Sequence, residues 1–212
     1  MRKLTLFLAA LVGVVLTAPA VAQAPPSVTL TIGDPGTGAQ GTVTTARYGE
    51  LVELSGEVNV AQGNELIEIL VTPYRGQTTT KLVRTQPDGE FVTTHRPTIR
   101  TSYIARWQGA SSVQEPFAFV RPDVTLRVRN ARLGRFTVSM RATRAHASRV
   151  VWFQRRTSRT SWKTVKRIRL RGTAMSAHFT ARLPRGVHRV RAFVPQTPGY
   201  LRATSDFVLV RR

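Results

Sequence analysis

The chain has no cysteine in its 212 residues, which excludes disulfides, thiolate metal centres and attachment through a lipid-modified cysteine. Histidine is scarce as well: His95, His146, His178 and His188 are the whole supply. No His-Glu-x-x-His and no Gly-x-Ser-x-Gly occurs, so neither a zinc hydrolase helix nor a nucleophile elbow is present. Ser176 precedes His178 by two residues, which on a strand puts both on one face. Beyond Asp123, however, Asp206 is the single carboxylate that could orient such a pair. Glu53 and Glu57 fall on the polar side of a strand pattern, as solvated edge residues do, rather than forming a glycosidase pair. Asp34-Pro35-Gly36-Thr37-Gly38 offers one acid without spaced oxygen ligands, so it reads as a turn and not a calcium loop. The glycine-rich segment 33–41 lacks the Gly-Lys-Ser/Thr ending of a phosphate loop. The expectation is a non-enzymatic protein with no cofactor and no metal.

Long apolar runs are also missing, with one exception. Leu4 to Leu16 is apolar, follows Arg2 and Lys3, and precedes the small residues TAPAVAQA. A run of this length is too short for a bilayer core of ~30 Å and has the layout of a secretory signal peptide. Residues 1–24 are therefore expected to be removed, by cleavage after Ala22 or Ala24. With no transmembrane anchor, the product would be extracellular or held at the cell surface.

Acid is short in one half only. Residues 23–123 carry 8 Lys+Arg against 10 Asp+Glu, whereas residues 124–212 carry 22 against the lone Asp206. The net charge of +21 thus resides in the second half, an asymmetry that points to a polyanionic partner. The cations there are arginines apart from Lys163 and Lys166. Codon usage in a GC-rich genome would produce the same bias, and both explanations stay open at this point.

Helical periodicity is almost absent. Period-two alternation recurs in short segments separated by Gly, Pro, Asn and Asp, the pattern of an all-β protein. Seven strands are predicted in the first half, at 27–32, 51–58, 66–72, 80–85, 90–94, 102–107 and 114–120. Turn residues stand between them at Gln62-Gly63-Asn64, Pro73-Tyr74-Arg75-Gly76 and Pro87-Asp88-Gly89. Seven more strands are predicted at 123–129, 135–142, 149–155, 162–171, 175–183, 187–194 and 205–211. Phe117–Arg121 aligns with Phe207–Arg211, and Arg100–Trp107 with Arg185–Ala192, so one unit is used twice. Its size suits an immunoglobulin-like sandwich of ~100 residues. The fold expectation is two tandem immunoglobulin-like β-sandwich domains, 25–122 near neutral and 123–212 strongly basic, joined at Pro122, where proline interrupts the ladder.

Particular motifs carry a resemblance. ARYGELVELSGEV (46–58) and PDGEFVTTHRPTIRTSYIARWQG (87–109) resemble secreted immunoglobulin-like repeat modules of actinobacteria. The shared marks are Tyr48-Gly49, Leu54-Ser55-Gly56, Gly89-x-Phe91 and Tyr103-x-Ala105-x-Trp107. The second half is similar to a basic member of that group, with Trp162 after its hairpin and His188 in place of Tyr103. The resemblance implies a binding, adhesion or spacer module without catalytic residues. Tyr103 is expected to tie its hydroxyl to backbone in the manner of a tyrosine corner. Trp107 and Trp162 are expected to be packed or half-packed.

The stretch VVWFQRRTSRTSWKTVKRIRLR (150–171) interleaves tryptophan with cations, as nucleic-acid grooves do, but its alternation makes it two strands joined by RRTSRTS. Arg167, Arg169 and Arg171 alternate with Ile168 and Leu170. Arg189 and Arg191 alternate with Val190 and Ala192, and Arg127 and Arg129 with Leu126 and Val128. Outward neighbours on a strand lie ~6.6–7 Å apart. That is within the Debye length of ~8 Å, so the charges act as a field. Trp152 joins this face if Val151 and Phe153 point inward, while a slip of one residue would bury it. The predicted site is thus Arg127, Arg129, Arg167, Arg169, Arg171, Arg189, Arg191 and Trp152, binding an anionic envelope polymer or polysaccharide. A structural spacer and non-specific binding of extracellular nucleic acid are the alternatives.

Overall fold

The computed structural model describes residues 24–35, 37, 40–59, 63–143, 147–172 and 174–212. The expected signal peptide apart from Ala24, with Gly36, Gly38, Gln62 and His146, lies outside those residues. Alternating apolar side chains produce strands throughout. The first half forms β1 (Thr31–Gly33), β2 (Gln40–Gly41), β3 (Val43–Arg47), β4 (Val52–Glu57) and β5 (Leu66–Pro73). It continues with β6 (Thr79–Arg84), β7 (Glu90–His95), β8 (Thr101–Trp107), β9 (Ala110–Ser111) and β10 (Phe117–Arg121). The second half forms β11 (Asp123–Asn130), β12 (Arg135–Arg141), β13 (Val150–Arg156) and β14 (Trp162–Arg169). β15 (Ser176–Thr180), β16 (Val187–Val194), β17 (Ala203–Thr204) and β18 (Val208–Arg211) complete it.

These strands build two tandem immunoglobulin-like β-sandwiches. In the first, the sheet β2-β1-β4-β7 packs on β3-β10-β8-β5-β6, with β9 added to β8. In the second, β11-β12-β15 packs on β14-β13-β16, and β17 and β18 both pair with β16. One order recurs: β1-β4-β7 over β6-β5-β8-β10 becomes β11-β12-β15 over β14-β13-β16-β18. Each of the fourteen expected segments contains a strand or, at its margins, paired backbone. β2, β3, β9 and β17 were not expected. β3 shows why: only Ala46 of its five residues is buried, so no apolar alternation marks it, and its parallel pairing with β10 holds it in place.

Each sandwich has its own core. Val52, Leu54, Ile67, Ile69, Phe91 and Tyr103 fill the first, and Phe136, Val138, Val151, Phe153 and Val190 fill the second. Ser55, on the outward side of β4, is nevertheless buried and bonds Thr31, whose hydroxyl lies 3.2 Å away. Gly56 is required by close approach. A Cβ there would lie 2.1 Å from the Thr29 carbonyl oxygen and 2.6 Å from the Phe91 ring. Trp107 is packed as expected, its indole N–H donating to Glu65 Oε2 at 3.1 Å. The Tyr103 hydroxyl departs from the corner expectation and meets His95 Nδ1 at 2.9 Å instead of backbone. Burial, with Lys81 adding to it, lowers the His95 pKa and so favours the neutral ring.

Pro122 is the one residue between β10 and β11. Across this join, Tyr200 packs with Ile99 and Val120. Its hydroxyl accepts the Thr143 N–H at 2.7 Å and donates to the Thr98 carbonyl at 2.5 Å. Two backbone bonds run alongside, Arg100 N–H to Gly199 O at 3.0 Å and Leu201 N–H to Val120 O at 2.9 Å.

Gly56→Ala should destabilise the first sandwich by about 3 kcal/mol, the upper end of ordinary overpacking costs, measured by denaturant unfolding. Tyr200→Phe removes two part-buried hydrogen bonds and should cost about 1–3 kcal/mol. Burial raises the pKa of Tyr200 and Tyr103 above the ordinary 10.0, so the folded state keeps protons that the unfolded chain releases. Their contribution is complete below pH 10.0 and falls as pH rises beyond it. An alkaline titration of stability should therefore slope downward above that pH, and less steeply in Tyr200→Phe.

Candidate anion-binding face

The register of the five-stranded sheet decides which side chains share its outer surface. β13 and β14 pair Val151 with Ile168 and Trp152 with Arg167. After Phe153 a β-bulge leaves Val165 without an opposite number, and pairing resumes with Gln154 and Thr164. β13 and β16 pair Trp152 with Phe193 and Gln154 with Arg191. β16 and β18 pair Arg189 with Leu209. Since Val151, Phe153, Ile168, Val190 and Ala192 are buried, the alternate residues point outward. Trp152 is therefore on the outer face, half-buried against its neighbours rather than in the core.

Aromatic rings on this face carry guanidinium groups. Arg167 lies over Trp152 with 5.5 Å to the ring centroid, and Trp152 in turn packs on Phe193 at 5.2 Å. Arg191 lies over Trp162 at 4.1 Å, and its Nε–H donates to Gln154 Oε1 at 2.9 Å. Arg189 lies over Phe207 at 5.0 Å. Such contacts are worth about 0.5–1 kcal/mol each at exposed sites, and they restrain groups that would otherwise wander. Partial burial lowers the Arg191 pKa, yet a guanidinium remains charged at any physiological pH. At the sheet edge, Lys166 reaches across to β15 and donates from Nζ to the Thr180 carbonyl at 2.9 Å.

The predicted residues divide between two surfaces. Arg167, Arg169, Arg189, Arg191 and Trp152 share the outer face of the five-stranded sheet. Arg127 and Arg129 do not join them, because β11 pairs with β12 in the three-stranded sheet. Their outer face points away from the other arginines across the thickness of the sandwich, and there Arg129 Nε–H donates to Thr137 Oγ1 at 3.1 Å. Arg171 lies past the end of β14, where it lines a recess with Arg149, Arg169 and Met175. Arg156, Trp162, Phe193 and Phe207 belong to the face as well. The alternation in VHRVRAFV already put Phe193 in step with Arg191, whereas nothing in the sequence announced the ring under Arg189.

Among the described residues, one ion pair serves the second sandwich, Arg141 with Asp123 at 3.9 Å. No arginine of the face is in an ion pair among the described residues. His178 and Ser176, weighed above as a catalytic pair, sit on β15, where His178 Nδ1 meets Thr137 Oγ1 at 2.8 Å. Asp206 belongs to the segment between β17 and β18, on the opposite sheet.

No family model matches the chain, and no curated protein matches it. Among solved structures it is similar to the tetra-tandem repeat in the extending region of a large adhesion protein. That alignment has 14% identity and a TM-score of 0.39, and covers 88% of this chain and 49% of the other. A second similar structure is the FN1-FN3 segment of chicken CNTN1, at 10% identity and TM-score 0.27, covering 82% of this chain and 71% of that one. The chain thus spans about half the length of the adhesion-protein structure.

Unneutralised like charges on one face repel one another, and salt relieves this. Raising NaCl so that the Debye length falls from ~30 Å to ~8 Å should raise the melting temperature. Thermal scans across that range measure the effect.

Proposed function

We propose that the protein is an exported, non-catalytic pair of modules, 25–122 and 123–212, whose second module adheres to anionic polymers of the cell envelope or its surroundings. The observation that carries this reading is the set of guanidinium groups lying over Trp152, Trp162 and Phe207 with no carboxylate in ion-pair contact among the described residues. A planar fork with restrained orientation suits phosphate and carboxylate oxygens. Because each of these rings already lies under an arginine, the rings are not free platforms for bases. That favours recognition of anionic groups over the base stacking by which single-stranded nucleic acids are held. Nucleic acid would then be retained through its phosphates alone.

A second reading has one observation in its favour. Arg127 and Arg129 project from the opposite sheet, so arginine occupies outward positions on both sides, as a compositional bias in a spacer module would have it.

Replacing Arg167, Arg169, Arg189 and Arg191 together by glutamate separates the two. Retention on heparin, envelope polymers and DNA should be lost in that variant while its unfolding transition persists. Arg127→Glu with Arg129→Glu should reduce retention only slightly. Equal losses from both sets would mean charge without a face, and no retention by the unaltered protein would establish the spacer reading.

A further inference from the structure

The join between the sandwiches holds a groove of about 530 Å³ lined from both sides. Arg47 and Arg121 come from the ends of β3 and β10, and Arg191 and Arg202 from the second sandwich. Two aspartates also line it, Asp123 and Asp206, of which Asp123 is paired with Arg141. Four arginines therefore border it beside two acids, with the Arg191 guanidinium held by Trp162 and Gln154 at its margin. The first half is near neutral overall, so a pair of arginines placed here is not explained by composition.

The strand register sets two of these arginines side by side. Arg47 and Arg121 are directly opposite partners in the parallel pair of β3 and β10. Neighbouring like charges repel, weakly at exposed positions such as these. Glu50 lies 4.0 Å from Arg47, but both side chains are largely exposed and such a pair contributes little. Arginines converging from two domains suit a tetrahedral phosphate, which presents several acceptor oxygens in different directions, better than a planar carboxylate. The volume lies within the ~300–1,000 Å³ of ordinary ligand clefts and exceeds what one such anion fills. Arg191 and Phe193 line the groove and also belong to the arginine face, so a chain lying on the face can continue into the groove.

We infer that this groove is a phosphate-binding site shared by the two sandwiches, taking consecutive phosphates of a single chain such as a polyphosphate or phosphodiester polymer. It goes beyond the proposed face, because half of its arginines belong to the near-neutral first half. It also makes the ligand a brace across the join.

The test is calorimetric titration of the full protein with short-chain polyphosphate and with inorganic phosphate, at an ionic strength held constant with NaCl. The unaltered protein should bind the chain more tightly than the free ion. Arg47→Gln with Arg121→Gln should weaken polyphosphate binding about tenfold or more, from the loss of charge-assisted hydrogen bonds. Arg202→Gln should weaken it as well, while Arg127→Gln with Arg129→Gln, which removes equal charge elsewhere, should leave it unchanged. In the absence of phosphate, Arg121→Gln should melt higher than the parent, since it relieves the opposed pair, and added polyphosphate should stabilise the parent more. Equal binding by the Arg47/Arg121 variant, equal losses from the Arg127/Arg129 control, or no phosphate binding at all would overturn the site. Heparin retention by the Arg47/Arg121 variant reports on the face separately, so failure of one reading is distinguishable from failure of the other.

Discussion

A phenolic hydroxyl stands at the centre of the contact between the two halves of this chain. Tyr200 belongs to the second sandwich, and its oxygen connects Thr143 of that sandwich with the Thr98 carbonyl of the first. Neighbouring domains in one chain move freely unless their contact is substantial. Here the apolar contact is centred on Ile99, Val120 and Tyr200, with Tyr48, Tyr74, Ala142 and Ala147 packed around them, and directional bonds add to it. The backbone bonds from Arg100 and Leu201 flank the hydroxyl, and Pro122 leaves almost no slack in the connection. The groove beside Pro122 exists as one site only because these contacts hold its two walls in register.

Charge and fold are at odds in the second sandwich. Its core is ordinary, built around Phe136, Phe153 and Phe179, with the first two rings 4.7 Å apart. Its surface concentrates cations with a single paired arginine among the described residues, Arg141. Cation–π contacts ease part of the strain by letting guanidinium groups rest on apolar surface while their edges stay in water. The rings gain cover and the cations gain orientation, yet the repulsion is left for solvent ions or a ligand to relieve.

Much of this was legible in the sequence, and the limits have physical causes. Alternation identified the strands because it reports which residues face a core, and it correctly set Arg167, Arg169, Arg189 and Arg191 outward. It could not say which sheet a strand joins, which is why Arg127 and Arg129 were grouped with residues on the far side of the sandwich. Trp152 stood undecided until the pairing with Arg167 and Phe193 resolved its side. β3 escaped notice because it contributes one buried alanine, and the His95–Tyr103 contact because it links two strands through side chains rather than through a motif. The junction groove was the least legible feature. Arg47 and Arg121 are far apart in the chain and become neighbours only through a parallel pairing that no local pattern encodes.

The bulge at Val165 has a consequence for how the protein behaves in company. β14 is the last strand of its sheet, and an unpaired rim is a template on which another copy could add a strand. A flat, regular β14 would invite end-to-end stacking, with fibres as the outcome. The extra residue bends that rim and spoils its hydrogen-bond spacing, while Lys163, Lys166 and Arg167 set charge along it. The same positive density that would draw a polymer to the sheet thus works against strand addition by sister molecules along its margin.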